Sequence, residues 1–247
     1  MLSHRGSFAA PLSSADSSKP KGSALCMSAV VAASRSRWPA DGARIILGSS
    51  SYSRQGIMKE LAQEYGFAYE TVTADIDEQA LGDRTSDPAA LVTLLAQAKA
   101  EAICNSLKSR TALPATGFLL TCDQVVICQD KIREKPISSD QAKAFIASYS
   151  QHPAGTVGST LCTDLESGQS FGAVDLTWTY FSQIPEEVVQ HMVTEGTVMK
   201  CAGALMIENP LLEPFITRFD GTKDAIMGLP KDTVLRLVAE AVKASEK

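Results

Sequence analysis

The order in which short apolar runs and helix-period segments follow one another constrains this chain more than any single motif. Arg44-Ile-Ile-Leu-Gly48 reads as a short buried strand, followed by a Ser-rich turn and a helix from about Tyr52 to Tyr65. Phe67–Ala74 alternates, which predicts a second strand. Asp87 is a good N-cap for a helix that carries Leu91, Leu94, Leu95, Ala98 and Ala102 at helical spacing. Phe118–Thr121 and Gln124–Cys128 are apolar with β-branched residues and predict a buried strand pair, with Gln129-Asp130 as a turn. Ser138 with Gln141 resembles a capping box ahead of Ala142, Phe145, Ile146 and Tyr149, which share one helical face. Thr156–Thr163 and Ser170–Phe181 predict a hairpin around Glu166-Ser167-Gly168. Pro185 opens a helix with Val188, Val189 and Met192, and a last helix, Lys231–Lys243, presents Val234, Leu235 and Val238. Strands alternate with helices early and cluster later, so the fold class is α/β with a mixed sheet flanked by helices.

Residues 1–43 stand apart. They contain ten serines, many alanines and no clear period, so folding is expected to begin near Arg44. Five basic residues against two acidic ones make this segment Ser-rich and acid-poor, the composition of a plastid or mitochondrial transit peptide; a tail without an address reads equally well. The domain layout expected is therefore a disordered 1–43 extension and a folded 44–247 unit. The protein is cytoplasmic on the second reading and organellar on the first.

Charge excludes one class of partner. The chain holds 23 Lys+Arg against 28 Asp+Glu; without residues 1–43 there remain 18 and 26, a balance of −8. A body that acidic repels a polynucleotide backbone, and no basic stripe compensates. Small anions remain compatible where a few basic groups converge. The apolar stretches near Leu25–Ala33 and Leu91–Ala98 fall well short of the roughly 20 residues that cross a bilayer, so no membrane span is expected. Six scattered cysteines form no Cys-x-x-Cys pair and are read as reduced thiols.

Three places could carry chemistry. Leu47-Gly-Ser-Ser-Ser-Tyr-Ser-Arg54, between a strand and a helix, offers amide N–H groups, hydroxyls and a guanidinium to a phosphate. Composition alone favours a turn whose serines simply cap the helix. Asp75-Ile-Asp77-Glu78 leaves a strand with clustered carboxylates, which suit Mg²⁺ but also occur on any exposed loop. Lys99 sits at the edge of an apolar helix face, where it can enter a cleft or snorkel to the surface. Cys122-Asp123-Gln124 is the sharpest signal, because a carboxylate in an apolar strand is costly unless paired, metal-bound or functional. Arg133-Glu134-Lys135-Pro136 could return a Lys to the same place. Gly168-Gln-Ser170-Phe-Gly172 matches a nucleophile elbow, with Asp175 and His191 after it, but the helix which that motif needs is replaced by strand alternation.

Taken in order, these segments resemble the Maf-like family of nucleoside triphosphate pyrophosphatases. The family opens on Leu-Ala-Ser-x-Ser-Pro and basic residues, matched by Leu47-Gly-Ser49-Ser-Ser51-Tyr-Ser53-Arg54. Asp77-Glu78, Lys99-Ala100, Asp123-Gln124-Val125, Lys135-Pro136, Cys201-Ala-Gly203 with Glu208, and Gly228-Leu-Pro230 follow its later motifs. The resemblance runs from about Arg44 to the C-terminus. It implies cleavage of a nucleoside triphosphate between the α and β phosphates, a divalent metal (Mg²⁺ or Mn²⁺), and a curved sheet in two lobes around a deep cleft. It implies Asp123 as general base or metal ligand, with Glu78 as a second metal carboxylate. Ser49, Ser51, Arg54, Lys99 and Lys135 would bind the triphosphate. Gln124, Cys201-Ala-Gly203 and Glu208 are similar to the branch that acts on 7-methyl-GTP, and Ser53 stands at a place associated with base choice. A dTTP- or UTP-preferring enzyme and a nucleotide-binding module without turnover are the alternative readings. A homodimer is compatible with all three.

Overall fold

The computed structural model describes residues 44–110 and 116–246. The transit-like segment 1–43, and Cys26 within it, lie outside the described residues. Among the described residues seven strands form one sheet: β1 (Ile45–Gly48), β2 (Tyr69–Thr71), β3 (Phe118–Cys128), β4 (Lys131–Arg133), β5 (Ala154–Asp164), β6 (Ser170–Phe181) and β7 (Ile216–Asp220). Their spatial order is β2-β1-β3-β5-β6-β7, with β4 paired to β3. β1 runs parallel to β2 and β3, and the other pairings are antiparallel, so the sheet is mixed as expected. The helices are α1 (Tyr52–Tyr65), α2 (Pro88–Arg110), α3 (Ser139–Ser148), α4 (Glu186–Glu195), α5 (Lys223–Ile226) and α6 (Lys231–Ser245). Among the described residues no helix is long and apolar enough to cross a membrane, and Cys104, Cys122, Cys128, Cys162 and Cys201 are free thiols.

Strand β3 is the hub, and its alternation decides what lies where. Phe118, Leu120 and Cys122 pack with Ile57, Met58 and Leu61 of α1 and with Val234, Leu237 and Val238 of α6. Further along the same face, Val126 and Cys128 pack with Ile146 and Tyr149 of α3 and Val189 and Met192 of α4. Leu119 and Val125, on the other face, meet α2 through Ile103 and Leu95. Each fully buried aliphatic side chain in these clusters contributes about 1.5–3 kcal/mol of gross burial energy. The residues on β3 between the two clusters of the first face carry the polar chemistry.

Four elements differ from the sequence reading. The expected strand pair on either side of Cys122-Asp123 is one continuous strand of 11 residues. Its backbone stays paired to β5 from Phe118 through Ile127, so the carboxylate is accommodated by its side-chain partners without a break in the ladder. The second strand shrinks to Tyr69–Thr71, because it is an edge strand and β1 offers only three residues to pair with. β7 and α5, both without a usable period, were not foreseen. The Ser170 elbow is excluded: Ser170 begins β6 and its Oγ lies 2.8 Å from Thr163 Oγ1, while His191 sits exposed beside Glu195.

Candidate active site

The edge of β3 that faces β1 and β4 is interrupted. β1 covers Phe118–Thr121 and β4 covers Val126–Cys128, leaving residues 122–125 without a neighbouring strand on that side. Both neighbours leave the sheet at this gap: β1 ends opposite Thr121 and passes into the Ser-rich turn, while β4 ends opposite Val126 and passes into Glu134-Lys135-Pro136. Asp123 and Gln124, being consecutive on a strand, point to opposite faces of the gap. The sequence motifs meet here because of this topology.

On one face Asp123 is buried, and its carboxylate forms a short ion pair with Lys99 Nζ. Lys99 is buried too and reaches Glu78 Oε1 at 3.2 Å. α2 is held in register for this by Thr121, whose hydroxyl donates to the Ala96 carbonyl at 2.8 Å, less than one turn before Lys99. Of the two orientations open to Lys99, the structure adopts the buried one. Burial pushes the Asp123 carboxyl above the ordinary range, Lys99 and Arg54 pull it back, and Glu78 adds to the rise. Glu78 lies in a single 3₁₀ turn, capped by Asp77 Oδ1, which accepts from Gln79 N at 3.1 Å. Asp75 and Asp77 themselves are exposed.

On the opposite face Arg54 enters from α1 and is buried. Its Nε donates to the Gly228 carbonyl at 2.9 Å, one terminal nitrogen to the Cys122 carbonyl at 3.1 Å, and the other to Gln124 Oε1 at 3.3 Å. Cys122 is one of the β3 residues in the gap, so the guanidinium satisfies a carbonyl that no strand covers. Gln124 completes the arrangement by donating to the Ile226 carbonyl at 3.3 Å. Gly228 has φ +97°, and a Cβ there would collide with the Gln124 amide and with Arg54 Nε. The Gly228-Leu-Pro230 segment is thereby fixed against β3.

The Ser-rich turn closes one side. Ser51 caps α1, its Oγ accepting from Arg54 N at 3.4 Å, and Ser51 N donates to the buried Ser49 Oγ at 3.2 Å. Ser53 Oγ donates to Glu208 Oε1 at 2.6 Å, which joins the two residues read from sequence as bearing on base choice. Cys201 is pushed up to about 11 by burial, with Glu208 raising it further and Lys135 lowering it, so these three side chains share one neighbourhood. Gly203 meets the same segment: its N donates to the Glu134 carbonyl at 2.9 Å and its carbonyl accepts from Tyr149 Oη at 2.6 Å. The β3 gap thus brings together Glu78, Lys99 and Asp123 on one face and Arg54 and Gln124 on the other, with Ser53, next to Arg54 in the chain, bonded to Glu208. One residue that joins two of these segments, Arg84, carried no motif and was missed; its partners are 6 and 50 positions away. A separate concavity of about 320 Å³, between α2 and the β5–β6 turn, contains none of the site residues.

A family model described as Maf-like protein matches residues 44–241. The chain is 32% identical over 197 residues to a 7-methyl-GTP pyrophosphatase of Dictyostelium discoideum, covering 79% of this chain and 96% of that protein. It is 29% identical over 201 residues to a nucleoside triphosphate pyrophosphatase of Trichormus variabilis, covering 80% and 93%. It is 26% identical over 193 residues to a dTTP/UTP pyrophosphatase of Syntrophomonas wolfei, covering 78% and 95%.

Proposed function

The chain belongs to the Maf-like family and is a nucleoside triphosphate pyrophosphatase, a hydrolase, and from that premise we propose that its preferred substrate is 7-methyl-GTP and that it works with a divalent cation. The observation that carries the reading is the Lys99–Asp123–Glu78 cluster at the β3 gap, with the Ser53–Glu208 pair in the same site. In the reaction a water oxygen bonds to the α-phosphorus, the bond from that phosphorus to the bridging oxygen breaks, and pyrophosphate leaves with the electron pair. Asp123 accepts the proton of the attacking water, a role suited to a buried carboxylate whose affinity for a proton is raised. Lys99, Lys135 and Arg54, with the hydroxyls of Ser49 and Ser51, hold the triphosphate. In-line positioning and charge neutralisation account for most of the catalysis such a hydrolysis needs.

The residues present fit a divalent cation. Glu78 and Asp123 already converge on one positive atom, Lys99 Nζ, and both are hard oxygen donors. Among the described residues no group of three His, Cys, Asp or Glu could hold an ion unaided. Two carboxylates suit Mg²⁺ or Mn²⁺ when phosphate oxygens complete the shell, so Glu78 and Asp123 would hold such a cation together with the nucleotide. Held there, it would supply charge neutralisation to the phosphates.

For the base, the negative Glu208 favours a cationic methylated guanine, which also offers N–H donors. Preference for dTTP and UTP is the second reading, supported by the relatives of that name. The test incubates the full chain with Mg²⁺ or Mn²⁺ and 7-methyl-GTP, GTP, CTP, UTP or dTTP, and measures pyrophosphate separately from phosphate. Pyrophosphate chiefly from 7-methyl-GTP is expected. Release chiefly from pyrimidine triphosphates would replace the substrate assignment, and tight binding without product would leave a nucleotide-binding module.

A further inference from the structure

Arg84 lies in the loop between the Glu78 turn and α2. Its guanidinium donates to the Glu78 carbonyl and, at 3.2 Å, to the Leu81 carbonyl, and it forms an ion pair with Glu134 Oε1. Glu134 directly precedes Lys135, and its own carbonyl accepts from Gly203 N at 2.9 Å. One planar group therefore ties the segment that bears Glu78 to the segment that bears Lys135. A guanidinium suits this task because its donors form a rigid fork, where an ammonium presents a single point charge. The rest of the loop does not provide that tie: Asp83 turns inward on Thr85 N at 2.9 Å and Thr85 Oγ1 at 2.6 Å, bonds within the loop itself. The pair is also partly screened from water, with side-chain exposures of 19% and 30%, so parting it leaves a half-buried carboxylate unpaired.

We propose that Arg84 is a positioning residue for the pyrophosphatase reaction. It sets Glu78 against Lys99 and Asp123, and sets Lys135 where the triphosphate lies, without touching the substrate itself. The proposal rests on the pyrophosphatase reading above and adds to it a residue outside the substrate contacts. Groups that act from behind a site's contact residues typically alter affinity or activity by about 10–100-fold.

The test uses the full chain and its Arg84→Ala, Arg84→Lys, Glu134→Gln and Arg84→Ala/Glu134→Gln variants. Pyrophosphate release from 7-methyl-GTP and UTP gives kcat and KM, calorimetry with the α,β-methylene analogue gives Kd, and circular dichroism reports folding. Arg84→Ala is expected to lower kcat/KM about tenfold or more, with KM and Kd both raised. Arg84→Lys should recover part of the loss. The double variant should be no worse than Arg84→Ala alone, because the two side chains act as one unit. A purely structural role would lower kcat through loss of folded enzyme at unchanged KM, and that result overturns the proposal. So do additive effects, or values within twofold of the parent in folded Arg84→Ala. If Arg84→Ala does not fold, unchanged KM and Kd in Arg84→Lys overturn it as well. A parent that binds the analogue but releases no pyrophosphate ends the pyrophosphatase reading, while tenfold weaker binding by Arg84→Ala still supports the positioning of Lys135. A parent that neither binds nor turns over a nucleotide ends both.

Discussion

The Ser53 hydroxyl donates to Glu208 Oε1 across 2.6 Å, joining residues 155 positions apart in the chain. The bond fixes the orientation of an exposed carboxylate that would otherwise sample several rotamers, and it leaves the second oxygen available to a base. Glu208→Gln removes the negative charge and keeps the shape. Hydrogen bonds to charged groups are worth about 1.5–3 kcal/mol, so discrimination between 7-methyl-GTP and GTP is expected to fall roughly tenfold or more. Ser53→Ala should lower it less, since the charge remains and only its orientation is loosened. The ratio of kcat/KM for the two substrates is the measurement; an unchanged ratio in Glu208→Gln removes Glu208 from base recognition.

Asp123→Asn is expected to abolish pyrophosphate release while the protein stays folded. The strand around it is paired to β5 throughout, and an amide can still accept from Lys99. Loss of at least a thousandfold in kcat with an unchanged circular dichroism spectrum would agree with the role of base. Near-parental turnover would transfer that role to another group.

The pH dependence follows from the same pair. Burial raises the Asp123 carboxyl and Lys99 counters it by favouring the ionised form. As a base Asp123 must be deprotonated, so kcat/KM should rise with pH through its displaced pKa and then level. In Lys99→Met the countering charge is gone, so that rise should move to higher pH, by about one unit or more, on top of the loss in triphosphate binding. A rise at the same pH in both proteins would show that another group controls the acid limb.

Much of this arrangement was legible in the sequence, and for identifiable reasons. The α1 boundaries, the hairpin of β5 and β6 and the Ser138–Gln141 cap follow from period and cap chemistry, which are local. The Gln141 side chain differs in detail, accepting from Ile137 N at 2.8 Å rather than from the residue that caps the helix. Asp123 stood out because a lone carboxylate in an apolar run demands a reason. Lys99 could not be decided from sequence, since a Lys at the edge of an apolar face reads alike whether it snorkels or meets a carboxylate across the sheet; the packing of α2 on β3 settles it. The β3 gap was not legible, because periodicity does not say which residues of a strand its neighbours cover. Arg84 was not legible either: its ion-pair partner Glu134 is 50 positions away, and no residue pattern announces it.

Gly228→Ala tests how tightly the C-terminal loop supports the site. The position has φ +97°, and a Cβ would meet the Gln124 amide and come within 2.8 Å of Arg54 Nε. The backbone strain alone costs about 1–3 kcal/mol. The collision also displaces Arg54, which binds the uncovered carbonyl of Cys122, and Gln124, which accepts from Arg54. Thermal unfolding should show a clear fall in midpoint, and nucleotide affinity should fall with it. A stability unchanged within 0.5 kcal/mol would mean that the loop relaxes away from β3.

Asp164, remote from the site, is expected to contribute to stability that acid removes. Its carboxylate accepts from Glu166 N at 3.0 Å, Ser167 Oγ at 2.6 Å and Ser245 Oγ at 2.9 Å, tying the β5–β6 turn to the last residue of α6. Burial works to raise its pKa, but the bonds from Ser167, Glu166 and Ser245 together outweigh burial and hold the carboxyl below the ordinary range. A carboxyl lowered on folding contributes stability that is present above its unfolded pKa and is lost as pH falls through the folded value. Asp164→Asn should therefore destabilise the protein by about 1–3 kcal/mol near pH 7, the cost of weakening a buried set of charge-assisted bonds. The difference between variant and parent should shrink steadily as the pH drops below the ordinary carboxylate range, because the parent is then protonated at the same place. Urea midpoints measured from pH 7 down to pH 3 would show the two curves converging. A gap that stayed constant over that range would mean that Asp164 supports the turn through its shape and not through its charge.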